Sequence, residues 1–211
     1  LDQERVPNDQ SQANPPKLFN TIQLAKGVTN YADLSKIETT TSLTLQFLIL
    51  TASRTSMVLG CLRKEIHIDK QLWCIPGKRM KARYEHTVPL SNEATCLIET
   101  QMRKHNRQLI FENPHVEGPL SNNAMRSLLI KRFPEHRITT HGFRSTYRDW
   151  AAEQGKYDFV AIEKTLAHSF KNSTTGAYLR SSLIDQRRAL MQDWSHFAHK
   201  KIEKAAQRTL N

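Results

Sequence analysis

The spacing of apolar residues changes twice along this chain, and these changes constrain the fold more than any other feature. Over about residues 39–51 apolar side chains lie nearly all round a helix, which is typical of a buried helix. Between Ile66 and Leu90 they occur in short runs bounded by Asp69-Lys70 and Pro76-Gly77, as in short strands joined by turns. Helical spacing returns from Ser91. The sequence therefore predicts a mainly α fold with one small antiparallel β-sheet.

Helix-start and helix-stop residues divide the second half of the chain. Ser91 or Asn92 can cap one helix, and Ser121 can cap a second one that Pro134 ends. Thr140 is a candidate N-cap for a third helix. Further helices are expected over residues 159–168, 174–181 and 185–207, the last of them amphipathic and packed on its own domain.

The first sixteen residues differ in character from the rest. Residues 1–16 are polar and contain Pro7, Pro15 and Pro16, with no periodicity. We therefore expect residues 1–16 to be a linker or disordered segment and residues 17–211 to form one domain.

The charge balance points to an acidic partner. Lys and Arg number 31 against 20 Asp and Glu, giving a formal net charge of +11, and nucleic acid is the commonest acidic polymer. A basic but otherwise ordinary enzyme remains an alternative. No membrane span is expected, because the longest apolar run, residues 43–52, is far shorter than the ~20 residues that span a bilayer. A membrane surface is a less favoured partner, because the basic residues are scattered along the chain and not gathered on one amphipathic helix.

The cysteines indicate neither a disulfide framework nor a zinc site. Cys61, Cys74 and Cys96 are odd in number and lie in no CxxC spacing. We expect the three cysteines to be small, buried, hydrophobic side chains of a protein in a reducing cytoplasm. We expect no metal and no cofactor.

The segment His141-Gly142-Phe143-Arg144 is the strongest local motif. Residues three apart in a first helical turn project to one face, and a helix N-terminus adds positive potential and free N–H donors suited to a phosphate. Alone, the motif is equally compatible with an exposed helix start that carries incidental basic residues.

Further polar residues stand at suggestive places along the chain. Tyr178 follows His168 by ten positions across a polar stretch, although a half-buried helix tyrosine and a capping histidine would look the same. Arg54 directly follows the apolar helix, where an arginine usually needs an anionic partner or a salt bridge. Lys81 lies in the predicted hairpin, where a solvated lysine is ordinary.

Together these residues resemble the active site of the tyrosine recombinase family, closest to integrases of satellite phages and pathogenicity islands. The resemblance rests on segments LTASRT, IPGKRMKARYEHTVPLS, HGFRSTYRDWAAE and LAHS with AYLRS after it. Their matching residues, in chain order, are Arg54, Lys81, His141, Arg144, His168 and Tyr178. One departure is Met57, where the family often has a glutamate that supports the first arginine.

The resemblance implies a fold and a reaction. The fold is the DNA breaking-rejoining catalytic domain, and the reaction is site-specific cleavage and rejoining of DNA without metal, for integration or excision of a mobile element such as a prophage. Tyr178 would be the nucleophile, forming a 3′-phosphotyrosyl intermediate. Arg54 and Arg144 would clamp the phosphate with His141 and His168, and Lys81 would protonate the leaving oxygen.

The resemblance also implies partners. These are double-stranded DNA at attachment sites, further copies of the chain in a tetramer, and accessory DNA-bending or directionality factors. In the family the C-terminal helix can dock onto a neighbouring copy, which is the alternative to packing of residues 185–207 on their own domain. N-terminal arm-binding and core-binding domains would lie outside this sequence, and the setting would be a bacterial cytoplasm at the nucleoid. Further basic residues expected to contact DNA are Arg79, Arg83, Arg148 and Lys171.

Two alternatives stay open. A DNA relaxase of the type IB topoisomerase kind shares the logic of the site and differs in relaxing supercoils without exchanging partners. An inactive DNA-binding remnant of a mobile element would not become covalently joined to a nicked substrate.

Overall fold

The computed structural model describes residues 39–134, 137–168 and 183–208, with side chains described as far as residue 199. The predicted linker at residues 1–16, the predicted helix at 174–181, Lys171 and Tyr178 lie outside the described residues.

The helix that the apolar run predicts lies at the centre of the fold. Helix α1, Thr40–Thr51, begins at Thr39, whose side chain accepts a hydrogen bond from the Ser42 backbone N–H at 3.2 Å. Nine of its twelve residues are buried, on every side of the helix, so the predicted burial is confirmed. It packs against most of the helices that follow it in the sequence, which therefore form a shell around it.

A small three-stranded sheet follows α1 and helix α2, Thr55–Leu59. Its antiparallel strands are β1, Ile66–His67, β2, Leu72–Ile75, and β3, His86–Pro89, in the order β1-β2-β3. The sheet joins the core through Trp73, whose ring centroid lies 5.4 Å from that of Phe47 in α1. The predicted mainly α fold with one small antiparallel sheet is confirmed.

Five helices follow the sheet in the part of the chain that the structure describes. They are α3, Asn92–Lys104; α4, Ala124–Arg132; α5, Thr140–Glu153; α6, Phe159–Thr165; and α7, Ile184–Arg208. Helices α3, α4, α5 and α7 pack against α1, and α6 packs against α5 and α7. Among the described residues, none of the helices has the length and apolar character that crossing a bilayer requires.

The predicted N-caps are confirmed in one case and wrong in two. Ser91 caps α3 by accepting from the Ala94 N–H at 3.2 Å. Ser121 does not cap α4, because residues 121–124 form a turn in which the Ser121 carbonyl accepts from the Ala124 N–H at 3.0 Å. Thr139, with extended backbone, caps α5 by accepting from the Gly142 N–H at 3.0 Å, so Thr140 is already helical.

Helix α7 covers the core of its own domain, as its amphipathic pattern predicts. Trp194 is fully buried and donates from its indole N–H to the Ile49 carbonyl at 2.8 Å, near the end of α1. Its ring lies against those of Tyr147 and Trp150 in α5. This contact fixes the C-terminal end of α1 and the middle of α7 against the helix that carries the His141 motif.

Candidate active site

The end of α1 turns the chain so that Arg54 stands at the rim of a cavity. Ala52 has a left-handed backbone, with φ of 48°. The Ala52 N–H donates to the Ile49 carbonyl at 3.1 Å, and the Ser53 N–H donates to the Leu48 carbonyl at 3.2 Å. This pair of bonds is the Schellman motif, which ends a helix within one residue. Arg54 then resumes extended backbone at the N-cap of α2.

The end of α6 has the same geometry and presents His168. Ala167 is left-handed with φ of 51°, and its N–H donates to the Lys164 carbonyl at 3.0 Å. The His168 N–H donates to the Glu163 carbonyl at 3.1 Å, which completes the second Schellman motif.

Arg144 bridges these two helix ends. Its side chain is only 4% exposed, and its guanidinium donates to the Ala52 carbonyl at 2.5 Å and to the Leu166 carbonyl at 2.7 Å. The C-terminal end of a helix carries partial negative charge on its free carbonyls. Two such ends therefore stabilise the buried cation, and the nearby charge of Glu163 adds to this without a hydrogen bond to Arg144.

Arg54 is tied to the same place. One of its guanidinium nitrogens donates to the Ala167 carbonyl at 3.3 Å. Burial lowers the pKa of Arg54, and burial followed by the charge of Arg54 lowers the pKa of Arg144 to about 10. Both groups therefore stay charged at neutral pH. Within the described part of the chain, neither hydrogen-bonds a carboxylate, so their charge is available to an anion.

The two arginines open on one cavity of about 420 Å³. Its lining comprises Arg54, Thr55, Ser56, Asn122, Thr140, His141 and Arg144. The Thr55 hydroxyl donates to that of Thr140 at 3.3 Å, which fixes the start of α2 against the N-terminus of α5. The free N–H groups and the dipole at the start of α5 add to the positive potential of the cavity.

His168 stands beside this cavity and is held by an ion-paired carboxylate. Its Nδ1 lies 2.7 Å from Glu163 Oε2, while the other carboxylate oxygen of Glu163 accepts from Arg148 Nε at 2.5 Å. Burial raises the pKa of Glu163, but the hydrogen bonds from Arg148 and His168 outweigh it, so that the pKa lies below its usual value.

A second histidine, His86 on β3, is buried and lies close enough to the arginines for their charges to act on it. Burial, then the charges of Arg187, Arg54 and Arg144, lower its pKa to about 3. It is therefore neutral at physiological pH and adds no charge to the site.

The hairpin between β2 and β3 carries the other predicted cations. Lys81 and Arg83 are exposed there, and Lys81 does not line the cavity. Gly77 allows the hairpin to close, because a Cβ at that position would collide with the Arg83 carbonyl. Arg79 points inward instead, pairing with the buried Glu65 and donating to the Met57 carbonyl at 2.7 Å. This geometry does not favour DNA contact by Arg79.

The structure thus brings three predicted site residues, Arg54, His141 and Arg144, into one cavity, with His168 adjacent to it. Lys81 stands apart on the hairpin, and Tyr178 lies outside the described residues. Sequence reasoning missed Glu163 and His86. Glu163 lies five positions before His168, a spacing that shares no helix face, so only the turn at Ala167 could have indicated the contact.

No group of His, Cys, Asp and Glu in the described ranges is arranged to hold a metal ion. Cys61, Cys74 and Cys96 are free thiols. Cys61 is buried as expected, but Cys74 is half-buried and Cys96 is exposed, so the expectation that all three are buried is wrong.

Comparison of the sequence with known proteins identifies relatives of this chain. The sequence profile of the phage integrase family matches residues 21–183. The chain is 34% identical to the prophage integrase IntZ of Escherichia coli (strain K12) over 152 residues, 72% of the chain and 38% of that protein. It is 31% identical to the integrase of Enterobacteria phage P4 over 174 residues, 74% of the chain and 40% of the relative.

A third relative extends further along the chain. The prophage integrase IntA of Escherichia coli (strain K12) is 29% identical over 182 residues, 85% of the chain and 41% of that protein. The chain spans about two fifths of the length of these relatives.

Proposed function

The chain belongs to the phage integrase family, and we propose that it is the strand-cleaving domain of a site-specific DNA recombinase. It would cut and rejoin DNA at the attachment sites of a mobile element through a 3′-phosphotyrosyl intermediate on Tyr178. Its fold is that of the tyrosine recombinase catalytic domain.

One observation carries the proposal: two guanidinium groups, anchored on carbonyls, share a cavity with His141 and hydrogen-bond no carboxylate among the described residues. Guanidinium donors match the nonbridging oxygens of a phosphate and keep their charge at neutral pH. Anchoring them in advance means that they need no reorganisation when charge develops on those oxygens in the transition state.

The proposed step is an exchange of phosphate esters. The phenol oxygen of Tyr178 forms a bond to the scissile phosphorus, and the bond from phosphorus to the 5′-oxygen breaks. The phenol proton passes to a base, for which His141 is the candidate, and Lys81 supplies a proton to the leaving oxygen. A 5′-hydroxyl of a partner strand reverses the step, so the phosphodiester is restored without external energy. The fixed cations would take the place of a metal ion.

The wider setting follows from this role. Recombination between two sites needs several active sites at once, which supports assembly of this protein into a tetramer on double-stranded DNA. Accessory DNA-bending or directionality factors and a nucleoid location in the bacterial cytoplasm belong to the same proposal. The net charge of +11 supports DNA as the partner.

Covalent trapping on a nicked suicide substrate tests the proposal. The protein should become joined to the DNA 3′ end, and mass spectrometry of the adduct should place it on Tyr178. The Tyr178→Phe variant should bind the same DNA without forming the adduct. An adduct on another residue, or none with DNA that the protein binds, contradicts the assignment.

A pair of DNA assays separates the proposed reaction from its alternatives. Exchange between two attachment sites supports a recombinase. Relaxation of supercoiled DNA with no exchange would indicate a topoisomerase-like enzyme, and binding without any covalent adduct would indicate an inactive remnant.

A further inference from the structure

The carboxylate of Glu163 is saturated by two partners on opposite sides. It is 7% exposed, with Oε1 accepting from Arg148 Nε at 2.5 Å and Oε2 lying 2.7 Å from His168 Nδ1. A buried carboxylate is stable only when its charge and lone pairs are satisfied, and here both oxygens are. Arg148 therefore fixes the rotamer in which Glu163 faces His168.

This contact determines which nitrogen of His168 carries a proton. An ionised carboxylate only accepts hydrogen bonds, so Nδ1 must be the donor. The hydrogen bond at one ring nitrogen sets the role of the other. Nε2 is thus the end of the imidazole left for a ligand, and no hydrogen bond to it comes from residues 39–134, 137–168 or 183–199.

The same residue also holds the backbone of His168. The Glu163 carbonyl accepts from the His168 N–H at 3.1 Å, so one residue fixes both the main chain and the ring. The intervening Ala167 presents its carbonyl to Arg54 at 3.3 Å. The orientation of the imidazole is thereby coupled to the position of the arginine that lines the cavity.

We propose that Glu163 is a positioning residue for strand cleavage: it holds His168 by Nδ1 so that Nε2 faces the scissile phosphate, and Arg148 holds Glu163 in that orientation. This inference rests on the proposed function. It assigns Arg148 a role inside the site, in place of the general contact with DNA expected from its charge. His168 remains 41% exposed at the side chain, as a group that must reach a ligand requires.

The first test uses the protein without DNA. Long-range ¹H–¹⁵N NMR distinguishes the two imidazole tautomers, and at a pH where His168 is neutral the Nδ1–H form should dominate. Glu163→Gln leaves a single side-chain oxygen to accept from both Arg148 Nε and His168 Nδ1. The population of the Nδ1–H tautomer of His168 should therefore fall severalfold. An unchanged His168 spectrum in that variant overturns the proposal, whatever the domain does to DNA.

The second test measures formation of the covalent adduct on the suicide substrate. Glu163→Gln should slow it by about 10- to 100-fold, as small misplacement of a reacting group does, with DNA affinity within about twofold. In a His168→Ala background the same substitution should add no further loss, because interacting residues are not additive. A further loss of the full size in that background shows a merely structural role and overturns the proposal.

Matched variants separate the roles of the ion pairs. Glu99→Gln removes a carboxylate paired with Arg103 at 3.3 Å on α3, far from the motif residues in sequence, and should leave adduct formation unchanged.

Arg148→Gln should change both the His168 spectrum and the adduct rate. If Arg148→Gln instead weakens DNA binding and leaves the His168 spectrum intact, Arg148 is a DNA contact and its proposed role is wrong. Failure of the wild-type protein to form any adduct would reject the proposed function, while the spectrum still decides the geometry.

Discussion

Arg144 combines two roles that a lysine cannot combine. Its planar guanidinium reaches two carbonyls that belong to different helix ends, at 2.5 and 2.7 Å, and still borders the cavity. A lysine ammonium offers one compact charge on a flexible stem and cannot span both carbonyls while facing a phosphate.

Arg144→Lys should therefore retain most DNA binding while adduct formation falls by about 10²- to 10³-fold, the loss typical of removing one fixed donor from a transition state. Circular dichroism and a urea melt verify that the variant is folded. Rates within threefold of the wild-type rate would contradict the role of Arg144 as a fixed clamp. We expect Arg144→Ala to lose cleavage by orders of magnitude as well, with added loss of stability because two helix ends lose their link.

His86 gives the fold a pH dependence whose sign follows from its environment. Its folded-state pKa is about 3, against about 6.5 for an unfolded histidine. Between these values the unfolded chain binds more protons, so the free energy of unfolding rises with pH there and is lost as pH falls from about 6.5 toward 3. The wild-type stability should thus fall more steeply between pH 7 and pH 4 than that of His86→Gln.

Urea unfolding at several pH values measures this difference. His115→Gln is the matched control, because His115 is exposed, and its profile should follow that of the wild type. Parallel profiles for wild type and His86→Gln would show that His86 is not held neutral by the fold.

At the scale of elements, sequence patterns were informative about the existence of helices and strands and poor at their ends. The apolar run of α1 and the helical spacing after Ser91 both reflect burial in the core. Burial is set by the spacing of apolar residues over several turns, so it can be predicted without knowing the conformation of any single residue. The starts of α4 and α5 differ from the predicted caps, because neighbouring Ser, Thr and Asn residues can each form the cap and only the final backbone angles decide between them.

In the candidate site, too, some features could be predicted from the sequence and others could not. The spacing His141-x-x-Arg144 could be read as one helical face, since it depends on a single element. The carbonyls that hold Arg144 and the carboxylate that holds His168 come from helix ends formed by Ala52 and Ala167 in left-handed conformation. Alanine is the best helix former, so no propensity rule places it at such an end.

The left-handed turn at Ala167 yields a prediction about stability. A non-glycine residue in this conformation is strained by about 1 kcal/mol, which glycine relieves at the cost of a more flexible unfolded chain. Ala167→Gly should therefore not destabilise the domain and should raise the free energy of unfolding by up to about 0.5 kcal/mol. Ala198→Gly, within α7 at a fully buried position, should lower it by about 1 kcal/mol or more. Urea melts measure both, and a loss of 1 kcal/mol in Ala167→Gly would contradict the strained turn.

For the whole molecule, the distribution of cations matters more than their sum. The net charge of +11 counts every arginine equally, but the structure divides them into those engaged with the protein and those facing solvent. Arg79 pairs with Glu65, and Arg63 donates to the Met102 carbonyl at 2.7 Å. Arg83 is exposed on the hairpin beside Lys81. Only the solvent-exposed cations can bind DNA phosphates, and so release counterions from the DNA, without first breaking contacts within the fold.

This division predicts how salt affects DNA binding. Each phosphate neutralised by a cation contributes about 0.9 to the slope of log affinity against log salt concentration. The wild-type protein should show a steep slope, Arg83→Ala should reduce it by about one unit, and Arg79→Ala should leave it unchanged. Fluorescence anisotropy with a labelled duplex between 50 and 200 mM salt, roughly the range over which such slopes are resolved, measures all three.

The Arg79→Ala variant must first be shown to fold, because the substitution leaves the buried carboxylate of Glu65 without the arginine that pairs with it. The comparison is therefore made at a temperature where circular dichroism shows each variant to be folded. A flat salt response of the wild type would reject phosphate contacts as the source of affinity. A slope that falls equally for Arg79→Ala and Arg83→Ala would mean that DNA draws Arg79 out of its ion pair, and that exposure in the free protein does not select the cations that bind.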